Sequence, residues 1–126
     1  MVLHKHFHDF VLFLYVHIAL ADQFLHPSEE QVILGKMSKL FPSENDLKKK
    51  FDLAVAEYRA LDPAMVTSVI QDSFRFFDQV KFSQKYKVYT EMYDVVNADG
   101  KVEESEKIAL DALKDIINLN AEMRQP

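Results

Sequence analysis

No cysteine occurs among the 126 residues of this chain. That absence excludes a disulfide framework, a thiolate zinc site and a cysteine nucleophile, and it fits a reducing compartment, so a cytoplasmic location is expected. Glycine is almost as scarce. Gly35 and Gly100 are the only two, too few for a glycine-rich phosphate loop. Neither a Gly-x-Ser-x-Gly elbow, nor a His-Glu-x-x-His helix, nor the Glu-x-x-His pairs of a di-iron bundle can be found. Positive charge is in deficit, with 15 Lys and Arg against 20 Asp and Glu. No nucleic-acid partner is expected, because phosphate neutralisation supplies most of such affinity. The run Lys48-Lys49-Lys50, with Lys36 and Lys39 nearby, then reads as a solvated helix face.

Long apolar runs are missing too. Residues 11–21, VLFLYVHIALA, fall far short of the ~20 needed to cross a bilayer, so no membrane span is expected. Ala19-Leu20-Ala21 imitates a secretory cleavage site, but His17 interrupts the run and Asp9 occupies what should be a basic region. A cleaved signal is not expected.

The chain is long enough for a single domain, residues 1–126, with one core that needs no covalent staples. Helical periodicity runs nearly throughout and strand signals are absent, so the expected fold is all-α, a compact bundle of about six helices. The first helix is placed at about 3–21 and is apolar almost all round (Phe7, Phe10, Val11, Leu14, Tyr15, Ile18), hence central. A second opens at Pro27, whose missing N–H would have had no partner there, and stops near Phe41 because Pro42 disfavours helical backbone before it. Ser43 is the expected cap of a third, with Asp46 three residues on and a buried face of Leu47, Phe51, Ala54, Tyr58 and Leu61. Asp62-Pro63 launches a fourth along Val66, Val69, Ile70, Phe74 and Phe77. After a break at 81–83, a fifth carries the stripe Phe82, Tyr86, Tyr89, Tyr93 and Val96. A sixth, about 104–118, is expected to bury Ile108, Ala112, Leu113, Ile116 and Ile117 before a frayed tail at 119–126. Phe76, off the stripe of Phe74 and Phe77, is the expected exposed contact for a protein partner.

Two segments resemble each other. ADQFLHPSE at 21–29 and ADGKVEESE at 98–106 align at an offset of 77 positions, sharing Ala, Asp, an aliphatic residue, Ser and Glu. An apolar periodic segment precedes each and another follows, so the bundle reads as two pseudo-repeated helix–loop–helix units. Asp22 and Asp99 each end a helix, where the macrodipole disfavours a carboxylate by roughly 0.3–1 kcal/mol and a compensating partner is required. Around them lie His17, His26 and Glu29 in the first copy, and Asp94, Glu103, Glu104 and Glu106 in the second. Carboxylates and imidazoles around a loop suit a divalent cation: calcium, magnesium, manganese or zinc. Plain capping is the competing account, since Glu29 or Glu106 near the third helical position can reach back to backbone N–H groups and Asp99-Gly100 is ordinary turn chemistry. An EF-hand loop fits Asn97, Asp99, Gly100, Val102 and Glu106, but its opening ligand falls on Val95, and on Ile18 in the other copy. A degenerate EF-hand-like calcium binder is thus a lesser alternative. His4, His6 and His8 lie close together near the chain start, a spacing read as adventitious metal affinity.

At these motifs the chain resembles the TerB-like family, named for tellurite-resistance proteins and represented also among domains of co-chaperones. The family signature is Ala-Asp-Gly-x-aliphatic-x-x-x-Glu at two helix–helix junctions. Ala98 to Glu106 reproduces it, whereas the first copy departs with Gln23 in place of Gly and His26 in place of a small capping residue. The resemblance implies an all-helical domain in which acids of both motifs, here Asp22, Glu29, Asp99 and Glu106, converge on one metal site. His17, His26, Asp94 and Glu103 are second-tier candidates. It further implies an interaction module of a stress response such as tellurite resistance rather than an enzyme, with a metal-free helical adaptor as the alternative. For a metal-assisted hydrolase the residues identify no nucleophile or general base.

Overall fold

A helix with no polar face has to be covered on every side, and α1 (Phe7–Ala19) is such a helix. Nine of its thirteen residues are buried, from Phe10 through Val16 plus Ile18 and Ala19, which leaves His8 in the first turn as its exposed residue. In the computed structural model, which describes residues 1–98, 100 and 103–124 and side chains as far as Asn118, α2 (Pro27–Leu40), α3 (Leu47–Ala60), α5 (Phe82–Val96) and α6 (Glu104–Arg124) pack against it. The remaining helix, α4 (Val66–Phe76), follows a 3-10 turn at Pro63–Met65 and leans on α6. Among the described residues there is no strand. The fold is the expected all-α bundle of six helices.

Leu14, Ile18, Ile33, Met37, Phe51, Met92 and Val95 are fully buried and bring α1, α2, α3 and α5 into one core. Each such side chain contributes about 1.5–3 kcal/mol relative to exposure. Phe10 meets Phe74 edge-on at 5.1 Å and stacks on Phe77 at 5.6 Å, tying α1 to the end of α4. The expected buried face of α4 is the observed one, Val66, Val69, Ile70, Phe74 and Phe77.

Several boundaries and faces differ from expectation. α1 begins at Phe7 rather than near residue 3, because the preceding segment is held extended, with Leu3 packed on the core and His4 2.8 Å from Glu57. The third helix is capped by Asp46, not Ser43: the Lys49 N–H donates to Asp46 Oδ1 at 3.0 Å, and Pro42 and Ser43 form a turn. The Glu44 N–H donates to Phe41 O at 3.1 Å, which turns Ser43 away from the start of the helix. On α5 the aromatic stripe runs along the flank of the helix, with Phe82 and Tyr93 exposed, and the buried face turns to Val88, Tyr89, Met92, Val95 and Val96. On α6 Leu110, Leu113 and Ile117 are buried, while Ile108 is 62% exposed and Ala112 is exposed as well. The helix also continues to Arg124 where a frayed tail was expected.

Asp46→Ala should lower stability by about 1 kcal/mol, whereas Ser43→Ala should stay within about 0.5 kcal/mol of the parent. Urea denaturation midpoints of the two variants would show which residue caps α3.

Candidate functional site

The two matched segments form the α1–α2 and α5–α6 junctions, and their backbones run in parallel. Leu20 N–H donates to Val16 O at 3.0 Å, as Asn97 N–H does to Tyr93 O at 2.9 Å. Ala21 donates to Ile18 and Ala98 to Val95, at 3.3 and 3.2 Å; Gln23 donates to Leu20 and Gly100 to Asn97, at 2.8 and 2.9 Å. Each pair lies 77 positions apart. The chain then swings into the left-handed region at equivalent places, Gln23 with φ 71° and Gly100 with φ 79°. Gln23 therefore adopts the turn that the family signature assigns to glycine, at the steric cost a Cβ brings there.

At the first junction Asp22 is well served. Its Oδ1 accepts from the Phe24 N–H at 3.0 Å and its Oδ2 lies 2.9 Å from His26 Nε2. Partial burial opposes ionisation, but the bonds from His26 and Phe24 outweigh it and hold the carboxyl below the usual carboxylate range. The partner demanded by a carboxylate at a helix C-terminus is thus supplied within the loop. His26 is also the N-cap residue of α2, yet its side chain makes no capping bond; the ring sits between Asp22 and Glu29, 3.9 Å from Glu29 Oε1.

Glu29 and Glu106 are the two buried carboxylates among the described residues, 1% and 2% exposed, at matched positions. Glu106 Oε1 accepts from the Glu103 N–H at 3.1 Å, the reach-back half of a capping box. Its Oε2 is buried with no hydrogen-bond partner among the described residues. Capping thus accounts for half of this carboxylate.

The other candidates are dispersed. Asp94 is two-thirds exposed and takes Lys36 Nζ at 3.0 Å, while Lys36 also approaches Glu91, which accepts from Tyr15 Oη at 2.6 Å. Burial, and after it the Glu91 bond, pushes the Tyr15 phenol up. Glu103 is exposed and contributes its backbone N–H. His17 is engaged by α3, with Nδ1 2.8 Å from Tyr58 Oη, and burial pushes its imidazole down to about 4. Asp99, with Lys101 and Val102, lies outside the described residues. Among the described residues no group of three or more His, Asp or Glu has the geometry to hold a metal ion, and no helix is long and apolar enough to cross a membrane. The Asp22–His26 pairing, read from the sequence only as two candidate ligands, carries an i, i+4 spacing as its signal. The His17–Tyr58 pair was missed, since nothing local links residues 41 positions apart.

A family model described as "Tellurite resistance protein TerB" matches residues 8–125, nearly the whole chain. Nothing among the curated proteins or the solved structures matches it significantly.

Two expectations follow from the junction geometry. Left-handed backbone costs a residue with a Cβ about 1–2 kcal/mol, and glycine's greater freedom in the unfolded chain offsets about 0.5–1 kcal/mol of that. Gln23→Gly should therefore stabilise the protein by roughly 0.5 kcal/mol and Gly100→Ala should destabilise it by a similar amount, both read from urea midpoints. No heavy atom of the described residues lies within 4 Å of a Cβ built at Gly100, so the loss expected there is one of backbone.

His17 sets a pH dependence. Its folded pKa lies below the unfolded value of 6.5, so the unfolded chain binds the extra proton between pH 6.5 and about 4. Stability falls with acidification across that window, by up to about 1 kcal/mol per pH unit. His17→Gln should flatten this part of the stability curve, measured as unfolding midpoints from pH 7 to pH 4.

Proposed function

The chain belongs to the TerB family, and we propose that it is a helical interaction module whose two junctions together hold one divalent cation through Asp22, Glu29, Asp99 and Glu106. The observation that carries the reading is Glu106 Oε2, a carboxylate oxygen buried without a partner among the described residues, opposite in sequence register to the equally buried Glu29. Taking a charged carboxylate out of water costs several kcal/mol unless an opposite charge or hydrogen bonds answer it. The capping bond from Glu103 answers one oxygen only. The donors are oxygens, which suits calcium, magnesium or manganese, and His26 beside Asp22 supplies the imidazole that zinc would favour.

Bound there, a cation supplies positive charge to carboxylates that the chain delivers from two distant loops. The first junction sets the direction of α2 and the second that of α6, and both helices pack on α1. Linking them would fix the outer surface of the bundle and so the shape offered to a protein partner. Phe76, 49% exposed at the end of α4 with its ring 5.0 Å from that of Phe77, is the proposed partner contact. A role in tellurite resistance or a related stress response, a cytoplasmic location and action by binding rather than catalysis are parts of the same proposal. The metal-free adaptor is the second reading, favoured by the Asp22–His26 and Glu103–Glu106 bonds, which satisfy much of each junction without an ion.

Thermal melts of the parent chain, Asp99→Asn and Glu106→Gln, with chelator and with each of the four cations, separate the two. A bridging cation should stabilise the parent by about 2.7 kcal/mol at a hundredfold excess over its dissociation constant, and Asp99→Asn should remove most of that gain. If no cation shifts the parent, and Glu106→Gln costs the same with and without chelator, the metal-free adaptor is the correct account.

A further inference from the structure

A cavity of about 530 Å³ opens between the end of α1, the end of α3, the turn leading into α4 and the first half of α6. Pockets of a few hundred to a thousand cubic ångströms, mostly apolar with a few placed polar groups, are the usual form of small-molecule sites. This one has that make-up. Leu61, Val66, Ile108 and Ala112 are among its walls. The last two are the α6 positions whose apolar character the core does not explain, since both are exposed. Their i, i+4 spacing gives α6 a second apolar face, and that face lines the cavity.

The polar groups of the cavity are selective in sign. In a chain of net charge −5, the described residues of the lining include Arg59 and no Asp or Glu. Arg59 takes part in no ion pair among the described residues. Beside it in the lining is the His17–Tyr58 pair, joined at 2.8 Å. Burial keeps the imidazole neutral and holds the Tyr58 phenol protonated. Two neutral groups sharing one hydrogen bond always retain one free donor: the imidazole Nε2–H if the phenol donates, the phenol O–H if the imidazole donates.

We propose that this cavity binds a small amphipathic carboxylate, with its aliphatic or aromatic body against Leu61, Val66, Ile108 and Ala112 and its carboxylate on Arg59 and the free donor of the His17–Tyr58 pair. The site uses other ligands than the cation reading, because Asp22, Glu29 and Glu106 are not among the described residues of its lining. A guanidinium and one neutral donor suit a single anionic oxygen pair better than an amine or an alcohol.

Octanoate below its micelle-forming concentration is the probe, with octanol and octylamine as matched controls, titrated by amide NMR and calorimetry in the presence of chelator so that failure of the metal reading has no bearing. Octanoate should saturate with shifts concentrated at the lining of α3 and α6, and bind at least about tenfold more tightly than octanol. Arg59→Gln should cancel that preference while leaving octanol unchanged, and Ala112→Phe, which fills the cavity from an exposed position, should abolish binding of both. Melting curves of the two variants check that the fold persists. The proposal is overturned if octanoate leaves the lining residues unshifted, if octanol or octylamine binds as well as octanoate, or if the parent proves dimeric and Ala112→Phe makes it monomeric, which would assign the face to a second copy.

Discussion

Everything in this bundle answers to the need to cover α1. Most helices of small domains bury one stripe and leave the rest to solvent. α1 buries residues on all its sides, and the other elements arrange themselves as its cladding, α2 and α3 on part of the circumference, α5 and α6 on the rest. The junctions inherit their positions from this arrangement. The first lies where α1 ends and α2 begins, the second between two of the covering helices, α5 and α6. That setting explains how Glu29 and Glu106 become buried at the first turn of a helix, where dipole and backbone N–H groups make a carboxylate least costly to enclose.

How much of this could be read in the sequence depended on whether the cause was local. The apolar face of α4 was legible because its spacing is unbroken, although Asp62-Pro63 launches a 3-10 turn before the helix and Ser73 is buried with that face. The start of α1 was not, since Leu3 and His4 are held by partners elsewhere in the chain. Ser43 and Asp46 are both competent caps, and only the turn that follows Phe41 decides between them. Ile108 and Ala112 show a further limit. Periodicity reports that a face is apolar, and it cannot report whether that face meets a core or a cavity.

The junction motifs divide in the same way. Their matched backbone geometry extends the sequence identity to positions that differ, above all Gln23 against Gly100. The pairing of Asp22 with His26 follows from spacing along the chain, and the capping bond of Glu106 follows from its place in the first turn of α6. By contrast, Lys36 engaging Asp94 and His17 engaging Tyr58 are consequences of helices meeting in three dimensions. Those two contacts redirect side chains that composition alone would have assigned to the loops.

The all-round apolar character of α1 has a cost during synthesis. α1 leaves the ribosome well before the helices that enclose its far side, for α5 ends at Val96, 77 residues after Ala19. At about 5–20 residues per second, that interval lasts roughly 4–15 s. During it a short helix with nine core side chains has no cover beyond those of α2, α3 and α4 already made, so the nascent chain presents to the translation machinery the sort of apolar segment that folding chaperones capture.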